Sequence, residues 1–192
     1  VNDIDTINAI ADTLAEYDVE NLVVDPVMVA TSGSRLMQDD AVDVFTKKLL
    51  PMASLLTPNV PEAEVLAGIP INDKESMEKA AHIIHSKDCK ALLIKGGHIE
   101  GRKIDRLYCE DELICELEAA NVETRNTHGT GCTLSSAITS YLAIGYPIGK
   151  AVAIAKDWLT GALIAGANVE IGGGRGPVNH FSNSVKTRNL TK

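Results

Sequence analysis

The stretch NTHGTGCTLS, residues 126–135, sets two glycines and a cysteine immediately ahead of a run with helical spacing. Gly129 and Gly131 let a ligand approach the backbone closely, and the first N–H groups of a helix have no intrahelical partner. The helix dipole favours negative charge at that end. One reading is therefore an anion hole over Gly129, Thr130, Gly131 and Cys132, with the thiol placed to do chemistry. The other is a glycine turn that caps a helix, with Cys132 as a small packing residue.

Three further breaks carry reactive side chains: Asp25 in NLVVDP (21–26), Asn59 and Glu62 at the end of ASLLTPN (53–59) and just beyond it, and Lys95 with Gly96 and Gly97 in ALLIKGG (91–97). Carboxylates suit a hard cation such as Mg2+, usually with retained waters. A lysine and a helix N-terminus suit phosphate oxygens. Each alone has a plainer reading: a turn start for Asp25, an Asx-turn for Asn59, a first-turn charge for Glu62, a solvated side chain for Lys95. Their conjunction carries more than any member.

The elements that position these residues follow from periodicity. Short apolar runs at 21–26, 53–59 and 91–97 read as strands, and 3–17, 39–50, 60–68, 75–86, 131–144 and 149–167 read as helices. In 131–144, Leu134, Ala137, Ile138, Tyr141 and Leu142 form one buried face. Strands separated by helices pair in parallel through right-handed crossovers, so the sequence predicts an α/β domain. Ligands then bind outside the carboxyl ends of the strands, which gives the breaks one address. The 126–132 turn shares it if it too follows a strand. Residues 104–118 differ: two strand-like runs flank Glu110-Asp111-Glu112, the pattern of a hairpin. One domain over 1–181 and a frayed tail over 182–192 are expected, with GGG (172–174) either a flexible loop or a binding element.

Composition excludes several classes. A net charge of −8 and a pI of about 5.1 argue against a general nucleic-acid or anionic-membrane binder. No run approaches the ~18 uninterrupted apolar residues of a membrane span. The N-terminal residues have neither a basic region nor the apolar core of a signal peptide. Cys89, Cys109, Cys115 and Cys132 have no C-x-x-C spacing and read as reduced thiols of a cytoplasmic protein. There is neither a G-x-x-x-x-G-K-[ST] loop nor a G-x-G-x-x-G fingerprint. His82 and His85 lie three apart but lack a third ligand, so they read as an exposed helical face. Cys109 and Cys115 read as packing residues of the hairpin, and His98 as a candidate for lining the site.

Five segments, DPVMVATSG (25–33), TPNVPEAEVLAG (57–68), KGGH (95–98), THGTGCTLSSAI (127–138) and GPVNHF (176–181), resemble in order and spacing the hydroxymethylpyrimidine/phosphomethylpyrimidine kinases of the ribokinase-like superfamily. The resemblance implies a doubly wound, mostly parallel sheet with helices on both faces and a small β-hairpin element. It implies ATP as co-substrate with Mg2+, and phosphorylation of 4-amino-5-hydroxymethyl-2-methylpyrimidine and then of its monophosphate in thiamin biosynthesis. By similarity, Glu62 and Asp25 belong to the metal and phosphate network, Asn59, Lys95 and Gly97 to the nucleotide, and Val27 to the pyrimidine. Gly129, Thr130, Gly131 and Cys132 fall on the anion hole. Cys132, where the wider superfamily commonly has aspartate, becomes the general base. A homodimer is implied by the family alone.

Two departures stand out. Family members normally carry a further N-terminal segment that forms much of the substrate pocket, so the chain by itself is expected to be a poor catalyst. Arg175 stands where the family pattern has histidine. The rival readings are pyridoxal kinase, an inactive nucleotide-binding fragment, and a thiol enzyme with Cys132 as nucleophile.

Overall fold

A computed structural model describes residues 3–17, 19–29, 36–96, 103–170 and 172–182. The elements, in order, are α1 (Ile4–Glu16), β1 (Val23–Val24), α2 (Asp39–Lys48), β2 (Leu55–Leu56), α3 (Val60–Ala67), α4 (Lys74–His85), β3 (Ala91–Ile94), β4 (Ile104–Cys109), β5 (Glu112–Glu118), α5 (Thr130–Ala143) and α6 (Ile148–Gly166). All six expected helices are present. Their starts are chemically marked: the Asp3 side chain caps α1 at Thr6 N, and Asp73 caps α4 at Ser76 N. α3 begins with a capping box between Asn59 and Glu62 and ends on Gly68 in the left-handed region.

The strands form one sheet in the order β1-β2-β3-β4-β5. Pairing is parallel from β1 to β3 and antiparallel where the hairpin continues the sheet, which is therefore mixed. Strand alternation splits the core in two. Leu56, Leu92 and Ile94 pack among residues of α1–α4 on one face. Leu55, Ala91, Leu93 and Leu107 pack under α5 and α6 on the other. All four residues of β3 are buried, which is why it reads as an unbroken apolar run instead of an alternation.

The hairpin turns on Glu110 and Asp111, both at positive φ (50° and 70°), so that Glu112 already pairs with Cys109. Two positive φ values match the twist of the flanking strands. Buried Arg106 joins the two strands of the hairpin, its Nε donating to Glu116 Oε1 at 2.8 Å, and the pair reaches α4 through Arg106 Nη1 to Met77 Sδ and Lys74 Nζ to Glu116 Oε1, both at 3.3 Å. The Arg106 hydrogen bond holds the Glu116 carboxyl below its usual range.

The condition attached to the 126–132 turn is not met. No strand leads directly into α5; residues 119–128 are irregular apart from a single parallel bridge between His128 and Pro177. Side chains take over the role of a ladder there. Asn126 Nδ2 donates to the Gly166 and Val169 carbonyls, both at 2.7 Å, and Thr124 Oγ1 donates to Ala167 O at 3.0 Å. The approach to α5 is thus stapled to the C-terminal end of α6, whose last carbonyls have no partners within the helix. Gly97, His98 and all of the expected tail except Ser182 lie outside the described residues.

Candidate active site

Parallel pairing brings the carboxyl ends of β1, β2 and β3 to one rim. Asp25 follows β1, Thr57 to Asn59 follow β2, and Lys95 follows β3, its amide donating to Pro58 O at 2.8 Å. Lys95 Nζ meets Asp25 Oδ1 at 2.7 Å, with the two side chains 17% and 12% exposed. Buried Thr57 donates its hydroxyl to the same oxygen at 3.1 Å. A charge-assisted pair in this setting is well fixed, because both partners have lost most of their water.

The N-terminus of α5 abuts that pair. A Cβ placed on Gly131 would sit 3.2 Å from Lys95 Nζ and 3.3 Å from Asp25 Oδ2. Gly129 is the N-cap at φ 76°, a conformation that glycine adopts without strain, and no side chain caps the helix. Amides of the first turn therefore open beside a lysine and a carboxylate. Cys132 is exposed. Its side chain borders a cavity of about 500 Å³ together with Trp158 and His180, and His180 Nε2 lies 3.0 Å from Thr133 Oγ1.

Glu62 stands behind the rim. It is buried, and both oxygens are occupied: Oε2 accepts from Asn59 N at 2.8 Å and Oε1 from Met28 N at 3.3 Å. Burial pushes its carboxyl above the usual range, while the Asn59 amide, Lys95 and the Met28 amide pull back. Val27 lies on the same loop as Asp25 and is 42% exposed, available to pack against a ring.

Among the described residues no group of three or more His, Cys, Asp or Glu side chains is placed to hold a metal. Asp25 Oδ1 takes the Lys95 and Thr57 contacts, and its Oδ2 faces Gly131. A donor set of this kind fits an Mg2+ that keeps waters and is shared with substrate phosphates, not a protein-caged ion.

Three features escaped the sequence reading. Thr57 was quoted within a motif but given no role. Asp105 and Lys156 form a buried ion pair on the wall of a second cavity, about 240 Å³, which Lys95, Thr130 and Gly131 also line. A signal for Lys156 existed: it sits within the buried stripe of Val152, Ala155 and Leu159 on α6.

Two variants report on this geometry. Lys95→Met strands Asp25 with only the Thr57 hydroxyl, and breaking a buried pair on one side costs about 3 kcal/mol or more. Chemical unfolding is expected to show a loss of that order. Lys95→Met/Asp25→Asn is expected to recover most of it, and a fully stable single variant would contradict the pairing. For Glu62, the raised folded value means that the native state binds the proton more tightly than the unfolded chain. Its contribution is fully present below the ordinary glutamate range and is lost as pH rises through the folded value. Glu62→Gln keeps the Asn59 contact, gives up the longer Met28 bond at about 1 kcal/mol, and is expected to flatten that decline in melting temperature. An unchanged slope would put the carboxyl elsewhere.

A mixed sheet covered on both faces, with a helix N-terminus facing the strand ends, defines a ribokinase-like α/β domain. The chain belongs to the phosphomethylpyrimidine kinase family, whose profile matches residues 1–179. It is 46% identical over 178 residues to a hydroxymethylpyrimidine/phosphomethylpyrimidine kinase of Rhizobium meliloti, covering 92% of this chain and 66% of that protein. The crystal structure of a phosphomethylpyrimidine kinase from Clostridium difficile superposes with a TM-score of 0.74 at 38% identity, over 85% of this chain and 66% of the other. An ADP complex of Bacillus subtilis pyridoxal kinase superposes with a TM-score of 0.83 at 31% identity, over 93% and 67%. The chain spans about two thirds of the length of the hydroxymethylpyrimidine/phosphomethylpyrimidine kinases it matches, and 36% of a bifunctional thiamine biosynthesis protein of Geobacter sulfurreducens.

Proposed function

We propose that the protein carrying this chain transfers the terminal phosphoryl group of ATP to the hydroxyl of 4-amino-5-hydroxymethyl-2-methylpyrimidine, and then to its monophosphate. The observation that carries this reading is the N-terminus of α5 set against the Lys95–Asp25 pair. Phosphoryl transfer demands positioning and charge stabilisation above all, and an amide-lined helix end beside a lysine supplies both. Cys132 takes the substrate hydroxyl proton while the oxygen bonds phosphorus and ADP leaves. The amides of Gly129, Thr130, Gly131 and Cys132 receive the charge of the transferred group. Lys95, Asn59 and Gly97 serve the nucleotide, and Val27 packs on the pyrimidine. Mg2+ would be held by Asp25 and, through water, by Glu62, neutralising phosphate charge during transfer. A cytoplasmic homodimer belongs to the same reading, supported by family resemblance.

A pyridoxal kinase is the second reading, favoured by the close superposition on that enzyme and by the shared chemistry of a ring hydroxymethyl group. Sequence identity leans the other way, at 46% to a pyrimidine kinase against 31% to the pyridoxal kinase. The test is ATP-dependent turnover of each alcohol by the protein that carries this chain. Higher kcat/KM on the pyrimidine is the expected result. Preference for pyridoxal would overturn the substrate assignment and keep the phosphotransferase; turnover of neither would overturn both.

A further inference from the structure

The Asp105–Lys156 pair has a position that packing alone does not explain. Asp105 lies on β4, with its side chain 7% exposed, and Lys156 lies midway along α6, 16% exposed. One carboxylate oxygen, Oδ2, takes the Lys156 ammonium; the other, Oδ1, accepts the Gly96 amide at 3.0 Å. Gly96 follows Lys95 directly, so this carboxylate fixes the backbone that carries the rim lysine. Both members of the pair also line the 240 Å³ cavity, whose wall includes Lys95, Lys103, Thr130 and Gly131, with Leu134 and Leu159 as apolar floor. An anionic ligand entering there meets Asp105 as well as the lysines.

We propose that Asp105 and Lys156 are a charge-setting pair for the nucleotide cavity: Asp105 positions the Lys95–Gly96 backbone, and Lys156 cancels the carboxylate that would otherwise repel a polyphosphate. The proposal rests on the reading of this cavity as the nucleotide site. Asp105 Oδ1 accepts the Gly96 amide, and a hydrogen-bond acceptor there is needed whatever its charge. A neutral acceptor would hold the amide equally well. The carboxylate is tolerated only because an ammonium sits on its other oxygen. These are positioning residues, since neither acts on the reacting atoms.

The electrostatic role makes a prediction of sign. Lys156→Met leaves a bare carboxylate facing the phosphates. Asp105→Asn keeps an acceptor for the Gly96 amide and releases the Lys156 charge into the cavity. A unit charge about 8 Å from a phosphate, at an effective dielectric of ~20, changes affinity by roughly three- to thirtyfold after screening. Calorimetric titration of the protein with ADP is therefore expected to show weaker binding in Lys156→Met and tighter binding in Asp105→Asn. Asp105→Asn/Lys156→Met is expected to return to within about twofold of the parent, and the differences are expected to shrink in high salt. If Lys156→Met folds poorly, Asp105→Asn and the double variant still carry the test, because neither leaves a buried unpaired carboxylate. Weaker binding in Asp105→Asn, as a purely structural pair requires, would overturn this inference while leaving the nucleotide site standing. Failure of the parent to bind ADP at all would overturn the site reading and the inference with it.

Discussion

Replacing Cys132 with alanine is expected to lower kcat by about 10²–10⁴-fold, the usual contribution of a positioned general base. The thiol is exposed at the first turn of α5, one residue beyond the glycine that borders Lys95 and Asp25. The backbone amides proposed to hold phosphate charge are untouched by the change, so ADP affinity is expected to stay within a few-fold of the parent, a split that separates loss of a base from loss of a binding site. Cys132→Asp supplies a different base at the same point and is expected to recover part of the loss. Because the side chain is exposed, the melting temperature is expected to be nearly unchanged. Near-normal kcat in Cys132→Ala would remove the base from the mechanism and leave the helix N-terminus as the catalytic element.

The second large effect concerns folding. At Gly96 a Cβ would lie 1.5 Å from Ile104 O, well inside any contact distance, because the end of β3 passes directly against the start of β4. The obstacle is backbone, so it cannot rotate away. Relief would require separating the strands at the point where Asp105 holds the Gly96 amide. Gly96→Ala is expected to cost about 4 kcal/mol or more, among the rare large single-residue losses. Gly149, within α6 and with open space around it, provides the contrast. Gly149→Ala is expected to stabilise the chain by about 0.5–1 kcal/mol through helix propensity. Denaturant unfolding of the two variants side by side reads both signs, and a Gly96→Ala protein as stable as the parent would contradict the packing at the strand end.

The contrast shows what periodicity can and cannot deliver. Helices were legible because a buried stripe repeats over many turns; α5 and α6 fall within one residue of their expected bounds at each end. The rim was legible for a different reason. Once β1, β2 and β3 are taken as parallel, Asp25, Asn59 and Lys95 are brought together by topology, with no knowledge of distances. The hairpin could be seen in its two runs, although not the positive φ of Glu110 and Asp111, since neither is glycine.

The segment before α5 misled because a glycine turn ahead of a helix is usual after a strand. Here, hydrogen bonds from Thr124 and Asn126 to the end of α6 do the positioning instead. Asp105 and Lys156 were hidden because their partnership spans 51 residues and joins a strand of the hairpin to the middle of α6. Thr57 was hidden by its neighbour, since a threonine before proline reads as a turn. Pairings of this kind depend on tertiary packing, which local sequence pattern does not encode.

The central claim is that the N-terminus of α5 and Lys95 together receive the phosphates of a nucleotide. A crystal structure of the protein bound to a non-hydrolysable ATP analogue tests it most directly. The account predicts the terminal phosphate within hydrogen-bond distance of the Gly131 and Cys132 amides, with Lys95 Nζ turned from Asp25 toward the phosphate chain and the base in the cavity over Leu134 and Leu159. A nucleotide bound with its phosphates away from α5, or with Lys95 still paired only to Asp25, would contradict it.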